Sequence, residues 1–306
     1  MPALEPLVIG FSAPTLAAAA PRAMLQGFAY VAGMRGAQVL VADADLDGDR
    51  QRDQIDALIR ERVHALLVYP TALPETLRPA LDRAAEARIP LFSHDSVAHP
   101  AVITEFVTPG AKMAALAATL MNEFMGGNGR VGVVGGIPAP QILERTQAFR
   151  QALSERFQGL QFAGEAVNET DDRAGARPAV AELLSEDPTL GGIFTYNDAS
   201  ALGAADVVEN SGRKDVVIVG CNGEPQCLAA IREGRVAATV ERYPVELAQQ
   251  AATIMLDVAI GSLAAADAPR QVASEPEVVT AANVARFRPW EERTPQPDWE
   301  RVCRFL

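Results

Sequence analysis

The stretch GIFTYNDASALGA, residues 192–204, decides how the rest of the chain is read. It opens on apolar and β-branched residues without polar alternation, which fits a strand covered on both faces. Tyr196, Asn197 and Asp198 follow, and then small apolar residues at helical spacing. Strand, polar turn and helix in that order make half of a βαβ unit. ALLVYPTALPETL at 65–77 has the same layout, and VIGF (8–11), VGVV (131–134) and VVIVG (216–220) repeat its apolar opening. Working outward, strands are expected at 7–12, 38–42, 65–69, 90–94, 130–134, 160–166, 192–196, 216–220 and 236–241. Helical patterns lie between and after them, at 18–34, 48–62, 74–87, 110–125, 140–155, 172–185, 199–210, 223–233 and 244–262. This alternation calls for right-handed crossovers and parallel sheets. Two sheets are favoured over one, because the order of motifs nearly restarts halfway, with a first boundary at 104–110. The tail from Pro289, PWEERTPQPDWERVCRFL, holds both tryptophans and reads as an extended segment anchored by its aromatics.

Composition narrows the function. The 306 residues carry 27 Lys and Arg against 39 Asp and Glu, a net charge of −12, which argues against a general nucleic-acid coat. No apolar run reaches the roughly 20 residues of a membrane-spanning helix. Cys221, Cys227 and Cys303 form no CxxC pair, and His64, His94 and His99 are too few for a histidine-rich metal site. The motifs GxGxxG after the first strand, GxxxxGK[ST] and GxSxG do not occur, so neither a phosphate cradle nor a hydrolase elbow is supported. The glycines of GGNGRVGVVGG, 126–136, flank a strand and read as turn residues. An enzyme is therefore not expected, nor a cofactor or a metal.

Ligands of doubly wound sheets collect at the carboxyl ends of the strands. Here those ends read Ser12-Ala13-Pro14-Thr15, Tyr69-Pro70-Thr71, Ser93-His94-Asp95-Ser96, Tyr196-Asn197-Asp198, Cys221-Asn222-Gly223 and Glu241-Arg242-Tyr243. Nearly every strand ends in groups able to hydrogen-bond a polar small molecule. Single members also have structural readings: Asn197 and Asp198 as helix caps, Asn222-Gly223 as a turn, and Asp171-Asp172 as a solvated helix start.

With those residues assembled, the sequence resembles the type I periplasmic binding proteins, specifically the ribose-binding-like solute-binding components of ABC sugar transporters. The likeness rests on IGFSAPTL (9–16), ALLVYPT (65–71), IPLFSHDS (89–96), ERTQAF (144–149), GIFTYNDASALGA, VVIVGCNGEP (216–225) and GRVAATVERYP (234–244). The core of LacI-type repressors shares these features. The resemblance implies an α/β fold of two Rossmann-like lobes with parallel sheets, joined by a three-crossover hinge with a ligand cleft between them. The lobes would span 1–108 plus 243–275, and 109–242 plus 276–306.

Carried over by position, Asp95 is the aspartate that accepts from sugar hydroxyls, Arg145 the arginine that donates to sugar oxygens, and Asn197 the asparagine of the second lobe. Asn222 stands where the pattern has aspartate, Ser96 where it has arginine, and Arg242 where it has glutamine. Ser12 and Thr15 complete the expected ligand-binding set. The first-strand loop departs most: TLAAAAPRA, 15–23, has Ala18, Ala20 and Pro21 where the family carries an asparagine and two ring-stacking phenylalanines. Because the matched positions lose one acid, exchange one arginine away and gain another, the matched site is less acidic, and a sugar acid is expected beside a neutral sugar or polyol as ligand.

The function implied is capture of a carbohydrate-like solute for import by an ABC permease, through hinge closure. The partners implied are the permease's transmembrane subunits, with no nucleic acid, membrane contact only through the permease, and a monomeric state. The expected location is periplasmic, with a leader preceding this chain; Met1 as the native start would mean a cytoplasmic protein. The alternative is a ligand-sensing regulator, either a LacI-like effector core or a periplasmic sensor subunit. A first strand at Leu7 leaves no room before it for a DNA-reading head.

Overall fold

The apolar runs become strands, and the amphipathic stretches between them become the helices that cover them. In the computed structural model, which describes residues 7–306, the chain begins β1 (Val8–Ala13), α1 (Ala19–Met34), β2 (Gln38–Asp43), α2 (Gly48–Arg60), β3 (Leu66–Val68), α3 (Pro74–Glu86), β4 (Leu91–His94) and β5 (Val102–Val107). It continues α4 (Gly110–Phe124), β6 (Gly129–Gly135), α5 (Pro140–Arg156), β7 (Leu160–Val167), α6 (Arg173–Glu186), β8 (Leu190–Thr195), α7 (Asp198–Asn210), β9 (Val217–Val219), α8 (Pro225–Arg232) and β10 (Ala238–Glu241). The last elements are α9 (Pro244–Ala259), β11 (Gln271–Ala273), β12 (Glu277–Thr280), α10 (Trp299–Val302) and β13 (Cys303–Phe305).

Contacts divide the chain into two units. The first contains residues up to 108 together with 244–274 and 290–306; the second contains 109–243 and 275–289. The first unit is built on one sheet in the order β11-β5-β4-β3-β1-β2-β13, with every neighbouring pair parallel. Its core is aromatic and aliphatic: Ile9, Phe11, Phe28, Phe92 and Phe106 are wholly buried. Helix α1 lies so close to the start of α9 that a Cβ on Gly27 would stand 2.6 Å from the Val245 carbonyl oxygen. The second unit has the sheet order β12-β10-β9-β8-β6-β7, parallel except for β12, which runs antiparallel to β10. Phe149 and Phe194 stack within it at 3.9 Å between ring centroids. The architecture is thus two α/β bodies with mostly parallel sheets, as the alternating pattern requires.

Three features differ from the sequence expectation. VITEFV, which overlaps the segment read as a boundary, is strand β5, and its alternating burial reflects a strand near the sheet edge. The tail 290–306 belongs to the first unit rather than with 276–289 in the second. Its β13 extends the first sheet by pairing parallel with β2, and Trp290 is buried among Ala20, Ala23 and Val245. The chain therefore passes from one unit to the other four times rather than three, the extra passage falling between 289 and 290. No helix among the described residues is long and apolar enough to cross a membrane.

Candidate ligand-binding site

In the first unit, the carboxyl ends of β1 and β3 are tied together by a residue from α2. Gln51 is fully buried. Its Nε2 donates to Ser12 Oγ at 3.1 Å and to the Tyr69 carbonyl at 2.7 Å. Its Oε1 accepts from the Thr71 amide at 2.9 Å. Gln51 lies in register with the buried Ile55 and Leu58 on one face of α2, so the helix that covers the sheet also sets the strand ends. Ser12 is therefore engaged by Gln51, and Thr15 Oγ1 accepts from the Ala17 amide at 3.1 Å, which turns the chain into α1. Arg22 donates to the Leu16 and Ala17 carbonyls and fixes the same loop from outside.

Asp95 closes β4 with a left-handed backbone, φ +58°. One carboxylate oxygen accepts from the Thr108 amide at 2.9 Å, and the other lies 3.8 Å from His94 Nε2. His94 in turn meets the Tyr69 ring edge-on, at 4.5 Å between centroids. Ser12, Tyr69, Thr71, His94 and Asp95 are thus brought to one edge of the sheet. Ser96 departs from them: it is exposed, and its Oγ donates to Glu105 Oε1 at 3.0 Å. The reversal at Asp95 turns the chain away, which leaves Ser96 outside the buried group.

The second unit gathers its polar residues at the carboxyl ends of β7, β8, β9 and β10. Arg145, on α5, is only 4% exposed. Its Nη1 donates to the Tyr196 carbonyl at 2.5 Å and to Asn222 Oδ1 at 3.3 Å, while its buried Nε has no hydrogen-bond partner. Asn197 caps α7, its Oδ1 accepting from the Ser200 amide at 2.8 Å, yet its Nδ2 remains free to donate to Asp171 Oδ1 at 2.6 Å. The capping and functional readings of Asn197 therefore coexist, because an amide both accepts and donates. The Tyr196 hydroxyl donates to the same Asp171 oxygen, and a Cβ on Gly136 would meet the Tyr196 ring at 2.5 Å. Asn222, with φ +126°, directs Nδ2 to Glu224 Oε1 at 3.4 Å. Arg242 is buried and donates its amide to the Asn222 carbonyl at 3.2 Å.

Beneath this layer lie carboxyls outside the expected ligand-binding set. Asp198 is fully buried, accepting from Thr239 Oγ1 at 2.6 Å and from the Glu224 amide at 2.7 Å. Burial pushes its carboxyl up, and the Thr239 bond opposes that shift. Glu224 is pushed up to about 8, first by burial and then by neighbouring Asp198. Glu241, wholly buried, accepts from the Tyr243 amide at 2.7 Å. Burial raises the Tyr196 hydroxyl well above its usual range. Asp171 is half-buried, with φ +57°, and is not the solvated helix start expected of Asp171-Asp172. Asp172, by contrast, is exposed and caps α6, accepting from the Gly175 amide at 2.7 Å. The expectation of a less acidic site also changes: Arg145 and Arg242 share their cluster with Asp171, Asp198, Glu224 and Glu241. The cysteines are free thiols, with Cys221 and Cys227 buried. Among the described residues no group of three or more His, Cys, Asp or Glu is placed to hold a metal ion.

Two α/β units with mostly parallel sheets, each presenting hydrogen-bonding groups at the carboxyl edge of its sheet, make an architecture suited to holding a polar small molecule. A family model described as a periplasmic binding protein domain matches residues 9–263; the chain belongs to that family, and its role is that of a solute-binding protein, not an enzyme. Among its relatives is the ribose import binding protein RbsB of Bacillus subtilis, 28% identical over 251 residues, covering 81% of this chain and 80% of the relative. The D-apiose import binding protein of Actinobacillus succinogenes is 26% identical over 220 residues, covering 71% of this chain and 70% of the relative. A solved carbohydrate transporter solute-binding protein from Agrobacterium radiobacter, in complex with D-arabinose, superposes with a TM-score of 0.84. It covers 92% of this chain and 97% of its own at 19% identity, and so supports the fold alone.

Proposed function

We propose that this protein captures a sugar or polyol in the periplasm and delivers it to the transmembrane subunits of an ABC permease, acting as a monomer. The observation that carries the reading is the buried group at the carboxyl edge of the second sheet. There Arg145, Asn197, Asn222 and Arg242 present donors and acceptors around a guanidinium whose Nε has no hydrogen-bond partner. A buried donor left unbonded costs about 1–3 kcal/mol, and a hydroxyl-rich ligand supplies the acceptor that removes the cost. Asp95, with Ser12 and Thr15, offers the corresponding acceptors of the first unit, and Ser96 stands at its margin. The import role of relatives named for ribose and apiose supports the same reading. Hinge closure on the ligand, expected from the resemblance, belongs to this proposal.

Selectivity follows from geometry rather than from bond number. Each hydrogen bond to ligand contributes a net 0.5–1.5 kcal/mol or so, about 1.5–3 where a charge takes part. A ligand that leaves Arg145 or Asn197 unpaired is rejected by much more. The test is thermal unfolding against a panel of neutral pentoses, hexoses and alditols. A true ligand at about 100 times its dissociation constant stabilises by about 2.7 kcal/mol, raising Tm by several degrees for a chain of this size. No shift with any member of the panel overturns the proposal.

A further inference from the structure

Asp171 lies in the loop between β7 and α6 of the second unit, in the acidic pair that the sequence read as a solvated helix start. Three observations tie it to the polar cluster of the second unit. Its Oδ1 accepts from Asn197 Nδ2 at 2.6 Å and from the Tyr196 hydroxyl. Its backbone adopts φ +57°, a conformation costly to all but glycine, asparagine and aspartate. The loop is held by Asn168, whose Nδ2 donates to the Asp172 carbonyl at 2.8 Å and to Ser200 Oγ at 2.9 Å. Burial raises the Asp171 carboxyl above its ordinary range, and Tyr196, Asn197, Arg145 and Arg242 only partly offset that shift. Both guanidiniums of the cluster therefore already act on a carboxylate that belongs to the protein.

We propose that Asp171 is a specificity-determining residue that bars anionic ligands from the second unit's cluster, so that the solute taken there is an uncharged polyhydroxyl compound. The inference rests on the solute-binding reading above and sharpens it. Arg145 and Arg242 both act on Asp171, while Glu224 of the same cluster holds its proton at neutral pH, so an incoming acid meets guanidiniums that already have a carboxyl partner. Asp171 lies within electrostatic reach of Arg145, so a ligand carboxylate at that guanidinium meets a like charge, and like charges in a partly buried site repel strongly. A ligand hydroxyl suffers no such repulsion: it accepts from Arg145 and donates to the second oxygen of Asp171. A carboxylate also cannot donate to Asp171, so it loses the bond and meets the charge.

The experiment measures calorimetric dissociation constants for the neutral sugar or alditol that best stabilises the protein, and for the aldonic acid of the same carbon skeleton. The wild type is compared with Asp171→Asn and with Asp172→Asn, which makes the same charge change at the neighbouring, exposed residue. The wild type should bind the acid at least tenfold more weakly than the neutral compound. Asp171→Asn should cut that acid-to-neutral ratio at least tenfold, whatever its effect on neutral affinity, and Asp172→Asn should leave it in place. Equal binding of acid and neutral by the wild type overturns the inference, and this comparison stands even if a variant fails to fold. Equal ratios for the two variants overturn it as well. Failure of every neutral compound and every acid to bind would instead remove the solute-binding reading on which it rests.

Discussion

Glu224 gives the second unit a stability that should decline with rising pH, and Glu224→Gln isolates the effect. The carboxyl is buried and pushed up to about 8 from an ordinary value of 4.5, first by burial and then by Asp198. Between those limits the unfolded chain has released a proton that the folded chain still holds. Stability is therefore complete below about pH 4.5 and is lost as the pH rises through about 8. Each pKa unit is worth about 1.36 kcal/mol, so the full loss is on the order of 4–5 kcal/mol, shared with Asp198, which couples to Glu224 through that residue's own backbone amide. Glutamine imitates the protonated acid and keeps an acceptor for Asn222 Nδ2, which lies at 3.4 Å in the parent. Urea unfolding followed by circular dichroism from pH 5 to 8 should show wild-type stability falling more steeply than that of Glu224→Gln. The difference in slope should approach one proton, about 1.4 kcal/mol per pH unit, near pH 7. Parallel curves for the two proteins would refute the assignment of a retained proton to Glu224.

Two further substitutions test individual contacts. Asn197→Ala removes the cap of α7 and the bond to Asp171; a loss of about 1–2 kcal/mol in stability is expected, with ligand affinity falling at least tenfold by calorimetry. Trp290→Ala opens a cavity where the tail docks against Ala20, Ala23 and Val245; denaturant unfolding should show a cost of about 3–5 kcal/mol, and a cost under 1 kcal/mol would mean the tail contributes little to the first unit.

Most of the fold was legible because its signal is repeated. Nine strand candidates, several of them apolar runs without alternation, recur among helical patterns and are enough to specify parallel sheets, and every one of them is a strand in the structure. What escaped was short or lacked that signal: β11 and β13 have three residues each, and β5 alternates because it lies near an edge. The placement of the tail could not be read, because an anchored tryptophan announces burial without saying against which body. In the site, the strand-end rule drew attention to Asp95, Asn197, Asn222 and Arg242. It could not reach Gln51, although a clue existed: a glutamine in register with Ile55 and Leu58 on the apolar face of α2 needs a polar partner. Asp171 gave no such clue. Adjacent acids ahead of a helix are commonly solvated, and only the left-handed turn at Asp171 separates its side chain from that of exposed Asp172.

That turn is one of several. Of the non-glycine residues with positive φ, Arg62 and Arg88 simply terminate α2 and α3, but Asp95, Asp171, Asn222 and Tyr243 all follow strands whose carboxyl ends carry the candidate site. Backbone strain of this kind costs roughly 1–3 kcal/mol per residue and persists where the surroundings impose it. Asn222 offers the clearest separation of strain from chemistry, since its φ of +126° is the furthest from the range that side chains favour. Asn222→Ala and Asn222→Gly both delete the amide that meets Arg145 and Glu224, so both should lose ligand affinity equally. Only glycine relieves the backbone, because it lacks the Cβ that makes positive φ unfavourable. Asn222→Gly should therefore be more stable than Asn222→Ala by about 1 kcal/mol or more in urea unfolding, despite the greater chain entropy of glycine. Equal stability of the two variants would show that the turn is unstrained and that asparagine stands there for its amide alone.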